Sequence, residues 1–270
     1  MTIKEEQQIL LDLLKKTHDY CEKHQLRYCL TYGTLIGAIR HKGFIPWDND
    51  ADIFMPRPDY EKLWKMTQEG EPIADYIRCT NYRNDPKNHY TVIRVCDDRT
   101  RVRFKYLREQ PTEMGVFLDI FPVDGVWDDP KKHWLQQKLL RFNQRLQSAD
   151  LYGQKERKGL KKKLKYLSTF LFRNRNNIHE YKIDHYAMMC DYETHEKVLD
   201  TAEYQHFSAH LTHEDFDDPL LMDFEGFQFK APRRYHEFLT SGYGDYMQLP
   251  PEEKREVHDF DAWWINEDGK

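Results

Sequence analysis

Apolar side chains recur at helical spacing through Ile3, Ile9, Leu10, Leu13, Leu14, Thr17 and Cys21, which predicts an amphipathic helix over residues 3–24. Leu26 to Tyr32 is a short aromatic and apolar run that reads as a strand, broken by Gly33-Thr34 and followed by a short helix over 35–40. From Asp50 to Met55 acidic or aromatic positions alternate with aliphatic ones, as in a strand with two different faces. Pro56 ends that strand, and a helix is expected over 59–65. Strand-like runs follow at 76–80, 90–95, 101–106 and 116–121, and helical patterns at 130–149, 155–172 and 179–190. In the 130–149 pattern the periodic positions are Lys131, Trp134, Leu135, Leu139, Leu140, Phe142 and Leu146. The order is that of an α/β (α+β) protein with a mixed-sheet core and a helical C-terminal region. A soft boundary near residue 127 divides a core, 1–127, from a second region, 128–270.

Composition narrows the class. With 14% aromatic residues among 270, the chain has the means to bury a core. A mean hydropathy of −0.90 and no apolar run near 18 residues argue against a membrane-spanning helix. The first residues lack the basic and apolar regions of a secretory signal. Five cysteines without CxxC spacing suit small core residues in a reducing cytoplasm. A net charge of −5 excludes a nucleic-acid-type field, yet residues 153–177 alone carry a local +8.

Candidate chemistry concentrates in Gly33–Arg57. A strand leads into a Gly33-Thr34 turn at a helix start, where free backbone N–H groups hold phosphate oxygens. Asp50 and Asp52 then share one strand face, continued by Asp48. Carboxylates that close repel one another unless a cation lies between them, and Mg²⁺ (or Mn²⁺) suits an all-oxygen set beside a phosphate. The plainer alternative is the polar side of an exposed edge strand. Asp119 interrupts the apolar run Val116–Phe121, a costly position unless the same cation is shared. Asp124, just before Gly125, reads more simply as a turn residue.

The run GTLIGAIRHKGFIPWDNDADIFMPRPDY resembles the signature of the LicD family of phosphocholine transferases, relatives of the fukutin-type proteins. FLDIFPVDG and FEGFQFKAPRRYHEFLTSGYGDYMQLPPEEKREVHD are similar to further blocks of that family, in the same order. The resemblance implies a nucleotidyltransferase-like fold. It also implies metal-dependent transfer of phosphocholine from CDP-choline, or a similar CDP-linked head group, to a hydroxyl of a lipid-linked, teichoic-acid-like glycan. By the match, Gly33 and Thr34 form the phosphate turn, Asp50 and Asp52 are the paired metal ligands, and Asp119 is the third acidic position, a metal ligand or general base. Arg40, Lys42 and Arg94 are candidates for steadying phosphate oxygens, and His258 lies in the last block. Asn49 and Ala51 depart from the commoner family wording at positions not expected to face the metal. Trp47, Tyr32, Trp263 and Trp264 are candidate faces for a quaternary ammonium, with core packing as the alternative.

Two other functions fit the residues less well: a nucleotidyltransferase releasing pyrophosphate, and a non-catalytic glycan-binding protein at the membrane. The basic stretch over 155–172, with Leu160, Leu164, Leu167 and Phe170 at helical spacing, reads either as a helix on an anionic membrane surface or as an ordinary core helix. The expected location is cytoplasmic, peripheral at the inner face of the cell membrane.

Overall fold

The structure, a computed structural model, describes residues 1–107, 109–151, 176–201, 207, 209–255 and 258–265. The helix expected over 155–172 lies outside the described residues. Helix α1 (Ile3–His24) starts at a capping box. The Thr2 hydroxyl accepts from the Glu5 N–H at 3.3 Å, and Glu5 Oε2 accepts from the Thr2 N–H at 2.7 Å. The helix ends at Gln25, whose φ of 54° is the left-handed turn that stops a helix.

Strand β1 (Cys29–Leu30) is shorter than the apolar run suggested, because Tyr32 already opens α2 (Tyr32–Arg40). β2 (Asp52–Pro56) begins only where its ladder begins, so Asp50 and Ala51 precede it. α3 (Arg57–Gln68), β3 (Ile77–Thr80), β4 (Ile93–Asp97), β5 (Thr100–Phe104) and β6 (Phe117–Gly125) complete the N-terminal half. Beyond it come α4 (Pro130–Leu151), α5 (Ile178–Ala187), β7 (Lys197–Leu199), β8 (Leu211–Thr212), α6 (Glu214–Asp217), β9 (Leu220–Phe224), β10 (Phe227–Ala231), α7 (Tyr235–Tyr243) and β11 (Phe260–Trp264). The five strands of this half escape a periodicity reading because each is only two to five residues long.

Seven strands form one mixed sheet of order β1-β2-β6-β4-β3, with β7 on the end of β6 and β8 on β7. β2 and β6 run parallel, while β4 is antiparallel to β6. The second half closes the first: β7 pairs with β6 and β11 with β5. Phe224, Phe229 and Phe238 share one apolar cluster with Phe54 and Phe121. Each fully buried ring of this kind contributes about 1.5–3 kcal/mol. All five cysteines are free and buried. No helix of the described residues is long and apolar enough to cross a membrane.

Candidate functional site

Sheet register builds the first part of the site. Asp52 on β2 lies opposite Asp119 on β6, and Asp119 lies opposite Arg94 on β4. Cross-strand partners project to the same face, so two carboxylates and one guanidinium form a row across three strands. Arg94 is buried, donates from Nε to Asp119 Oδ1 at 3.0 Å, and lies over the rings of Tyr90 at 3.5 Å and Phe117 at 4.1 Å. It is therefore committed to Asp119 rather than open to a phosphate.

The start of α2 fixes this row. The Thr34 hydroxyl accepts from the Asp52 N–H at 2.8 Å, and the Thr31 N–H donates to the Asp52 carbonyl at 3.2 Å. Thr34 thus holds the strand that carries Asp52. Gly33 is needed for a different reason: a Cβ there would come within 2.8 Å of Asp48 Oδ2. Asp48 accordingly sits against the first turn of α2, where the helix dipole favours negative charge.

Asp48, Asp50 and His258 offer ligand atoms that all lie within 4.8 Å of one another. The His258 Nε2 and Asp50 Oδ2 are 2.6 Å apart. Burial and the charge of Asp50 push the Asp48 carboxyl up to about 9, so Asp48 keeps a proton beside Asp50. Burial opposes the Asp50 charge, but the hydrogen bond and charge of His258 outweigh it and hold Asp50 below its ordinary value. Burial likewise opposes the His258 charge, and Asp50 outweighs it and raises the imidazole. Asp52 is driven well up by burial and by Asp50 and Asp119. Asp119 is raised by burial, partly offset by Arg94.

Four carboxylates therefore face two cationic groups. Asp48 keeps its proton and Asp52 is driven the same way, so a hard divalent cation would take the place of those protons among the oxygen donors. Mg²⁺ and Mn²⁺ both suit that donor chemistry; among the described residues Asp48, Asp50 and His258 bring ligand atoms close enough together that they could hold one, and Asp52 and Asp119 add nearby carboxyl groups.

Asn49 and α1 brace this cluster. The Asn49 amide donates to the His258 carbonyl at 3.3 Å and accepts from the His258 N–H at 2.9 Å. The same amide donates to Glu6 Oε2 at 3.0 Å, and Gln7 donates to the Asp48 carbonyl at 2.8 Å. Asn49 points away from the carboxylates, as alternation requires, and docks the C-terminal loop that delivers His258. One sequence signal marked Glu6. It lies at i, i+3, i+4 and i+7 with Ile9, Leu10 and Leu13, a carboxylate on an apolar stripe.

The remaining candidates lie elsewhere or are engaged. Arg40 donates to the carbonyls of Tyr246 at 2.6 Å and Gln248 at 3.2 Å, tying α2 to the loop after α7. Lys42 is exposed, with a φ of 59°. Trp47 is half-buried, with the Arg255 guanidinium 4.3 Å over its ring. Tyr32 is not an open aromatic face. It is 3% exposed, its hydroxyl donates to Asp200 Oδ2 at 3.2 Å, and its ring meets Phe54 and Phe121. Trp263 and Trp264 stand exposed on β11. Asp124 is not a turn residue either. It lies within β6, and its two oxygens accept from Arg57 at 2.8 and 2.7 Å.

The fold and the site define a mixed α/β protein that gathers carboxylates over the central strands of its sheet. The profile of the LicD/FKTN/FKRP nucleotidyltransferase domain matches residues 25–145, the stretch that holds every one of those carboxylates. The chain is 35% identical over 272 aligned residues, 98% of both chains, to the lipopolysaccharide cholinephosphotransferase LicD of Haemophilus influenzae. An uncharacterized protein of Rickettsia typhi is 26% identical over 120 residues, 44% of this chain and 36% of its own. The chain belongs to the LicD family.

Proposed function

We propose that this protein transfers phosphocholine from CDP-choline to a hydroxyl of a lipid-borne cell-surface glycan and releases CMP. The observation that carries this reading is the end-to-end similarity to a cholinephosphotransferase of lipopolysaccharide. The carboxylate cluster supplies the chemistry that such a reaction needs. An acceptor of lipopolysaccharide type follows the relative's name; a teichoic-acid-type acceptor offers the same nucleophile, a sugar or polyol hydroxyl.

A divalent cation held by Asp48 and Asp50, with the Asp52 and Asp119 carboxyl groups beside them, would neutralise charge on the donor diphosphate. The start of α2 at Gly33 presents backbone N–H groups and the positive end of a helix to the same anion. His258, in the molecules where its imidazole is neutral, takes the proton from the acceptor hydroxyl, because the ring is half exposed and is held by Asp50 from the other side. The hydroxyl oxygen forms a bond to the choline-bearing phosphorus, and the bond from that phosphorus to the oxygen of CMP breaks. Asp119, tied to Arg94, positions Asp52 across the ladder and is the weaker base. Trp47, next in sequence to Asp48, already carries a cation over its ring, and a choline ammonium takes the place of Arg255 there.

The test is CMP release from CDP-choline with Mg²⁺, with and without EDTA, beside an Asp50→Asn/Asp52→Asn double variant. Expected are EDTA-sensitive CMP from the wild type and none from the variant, with water as the acceptor if no glycan is present. The nucleotidyltransferase description of the matching profile favours one second reading, attack on a nucleoside triphosphate. Pyrophosphate from a triphosphate, with no CMP from CDP-choline even with lipid-linked glycan added, would decide for it.

A further inference from the structure

Helix α4 is built inside out. Its buried positions carry amides: Gln136, Asn143 and Gln147 are all under 9% exposed, beside Leu140 and Leu146. The amides are buried because they are used. Gln136 donates to the carbonyls of Tyr186 at 2.9 Å and Ala187 at 3.2 Å, and Gln147 to that of His89 at 2.7 Å. Its outer positions carry what a core normally takes: Trp134 is 61% exposed, Leu135 49% and Phe142 54%.

Helical spacing places Lys131, Trp134, Leu135, Lys138, Phe142 and Arg145 along one stripe. Residues 131–149 contain five Lys/Arg and no Asp or Glu, in a chain whose net charge is −5. Three large apolar side chains interleaved with cations stand exposed along a helix of 22 residues.

We propose that the outer face of α4 lies on an anionic lipid bilayer. Charge identifies the partner: the stripe is wholly basic, so a second copy of the same face repels it, whereas phosphate headgroups attract it. The apolar members fit the same surface. Trp, Leu and Phe enter the boundary between headgroups and acyl chains, while the long Lys and Arg stems reach back to the phosphates. The helix lies flat, since it has no apolar stretch able to span. The inference is independent of the donor and acceptor assigned above, and of the basic stretch 155–172.

The test is co-sedimentation of the full chain with vesicles of phosphatidylglycerol and phosphatidylcholine, against vesicles of phosphatidylcholine alone. Two variants are compared, Lys131→Glu/Lys138→Glu/Arg145→Glu and Trp134→Ser/Leu135→Ser/Phe142→Ser. Both alter exposed side chains, and an unchanged thermal melt verifies folding. Expected is binding to the anionic vesicles only, weakened by salt, and reduced roughly tenfold or more in partition coefficient by either variant. CMP release from CDP-choline in solution should remain the same in both, which separates this result from failure of the enzymatic reading. Absence of wild-type binding, or equal binding by all three proteins, overturns the proposal. So does self-association that the Trp134→Ser variant abolishes without any vesicle binding, since the face would then join two chains.

Discussion

Two clusters of buried charge share strand β6, and they are built to opposite rules. Around Asp124 three carboxylates, Asp124, Asp184 and Glu61, share two guanidiniums, and each is bonded directly to at least one of them. Arg57 donates to both oxygens of Asp124 and, at 2.7 Å, to Asp184 Oδ1, while Arg83 pairs with Asp184 and, at 2.7 Å, with Glu61. Burial opposes the charge of Asp184, but Arg57 and Arg83 outweigh it and hold the carboxyl below its ordinary value. Around Asp119 the carboxylates outnumber their cations, and Asp48, Asp52 and Asp119 are all raised. A buried cluster whose carboxylates are all bonded to guanidiniums joins elements: here α3, β6 and α5. An unbalanced one is costly in the free protein and becomes favourable only when something positive arrives. Burial alone does not separate the two, since it raises Asp124 as it raises Asp119; the direct pairing of every carboxylate with a guanidinium around Asp124 does.

The largest contrast is expected in activity. Asp50→Asn or Asp52→Asn should lower CMP release by about 10³-fold or more, the equivalent of about 4 kcal/mol in the barrier, without lowering the melting temperature. Arg57→Met should do the reverse. It leaves Asp124 buried without its partner, and urea unfolding should show a loss of about 3–5 kcal/mol. The turnover of the molecules that remain folded should be unchanged, because Arg57 contacts no member of the acid cluster. Equal loss of turnover in both variants would mean that the two clusters are one functional unit.

A smaller effect is expected at the brace. Asn49→Ala removes two hydrogen bonds to the His258 backbone and one to Glu6, at about 1 kcal/mol each. A fall of about tenfold in kcat/KM should follow, with a shifted pH profile as His258 loosens from Asp50. Glu6→Gln keeps an acceptor oxygen for Asn49 and should cost little. If Asn49→Ala changes stability but leaves the pH profile in place, Asn49 is structural only.

The uneven reach of the sequence has the same physical origin. Asp50, Asp52 and Asp119 were legible because period-two alternation is local and a carboxylate in an apolar strand stands out. Their cross-strand register was not, since pairing of β2 with β6 spans three intervening strands and a helix. His258 lies 209 positions from Asn49, so only the family resemblance pointed to it. Arg94 and Asp124 were misread for want of a partner: a lone Arg looks free, and a lone Asp before Gly looks like a turn. The 130–149 helix was legible as a helix but not in orientation. Its periodic apolar positions predict a buried face, whereas carbonyls at Tyr186, Ala187 and His89 draw its amides inward instead.

The smallest effect, in the stability of the cation-free protein, tests the charge imbalance itself. Asp48 titrates at about 9 in the folded chain, against about 3.9 for an unfolded Asp. An acid raised by folding keeps a proton that the unfolded chain has released, so stability falls as pH rises between those two values. Asp52 and Asp119, also raised, act in the same direction. The Asp50–His258 pair differs at the acid side only. Asp50 is lowered, so its contribution is present above its unfolded pKa and is lost as pH falls through the folded value. His258 is raised, so its contribution is complete below about 6.5 and is lost as pH rises through the folded value. Above about pH 6.5 the raised groups therefore share one sign, and the melting temperature in EDTA should fall toward about pH 9. Asp48→Asn removes the acid raised to about 9, and should melt about 2–4 °C higher than wild type at about pH 8 in EDTA. Mg²⁺ should narrow that gap by raising the wild type more than the variant. Identical melting of the two proteins, indifferent to Mg²⁺, would show that Arg94 and His258 already balance the cluster, and the contrast between the two ends of β6 would disappear.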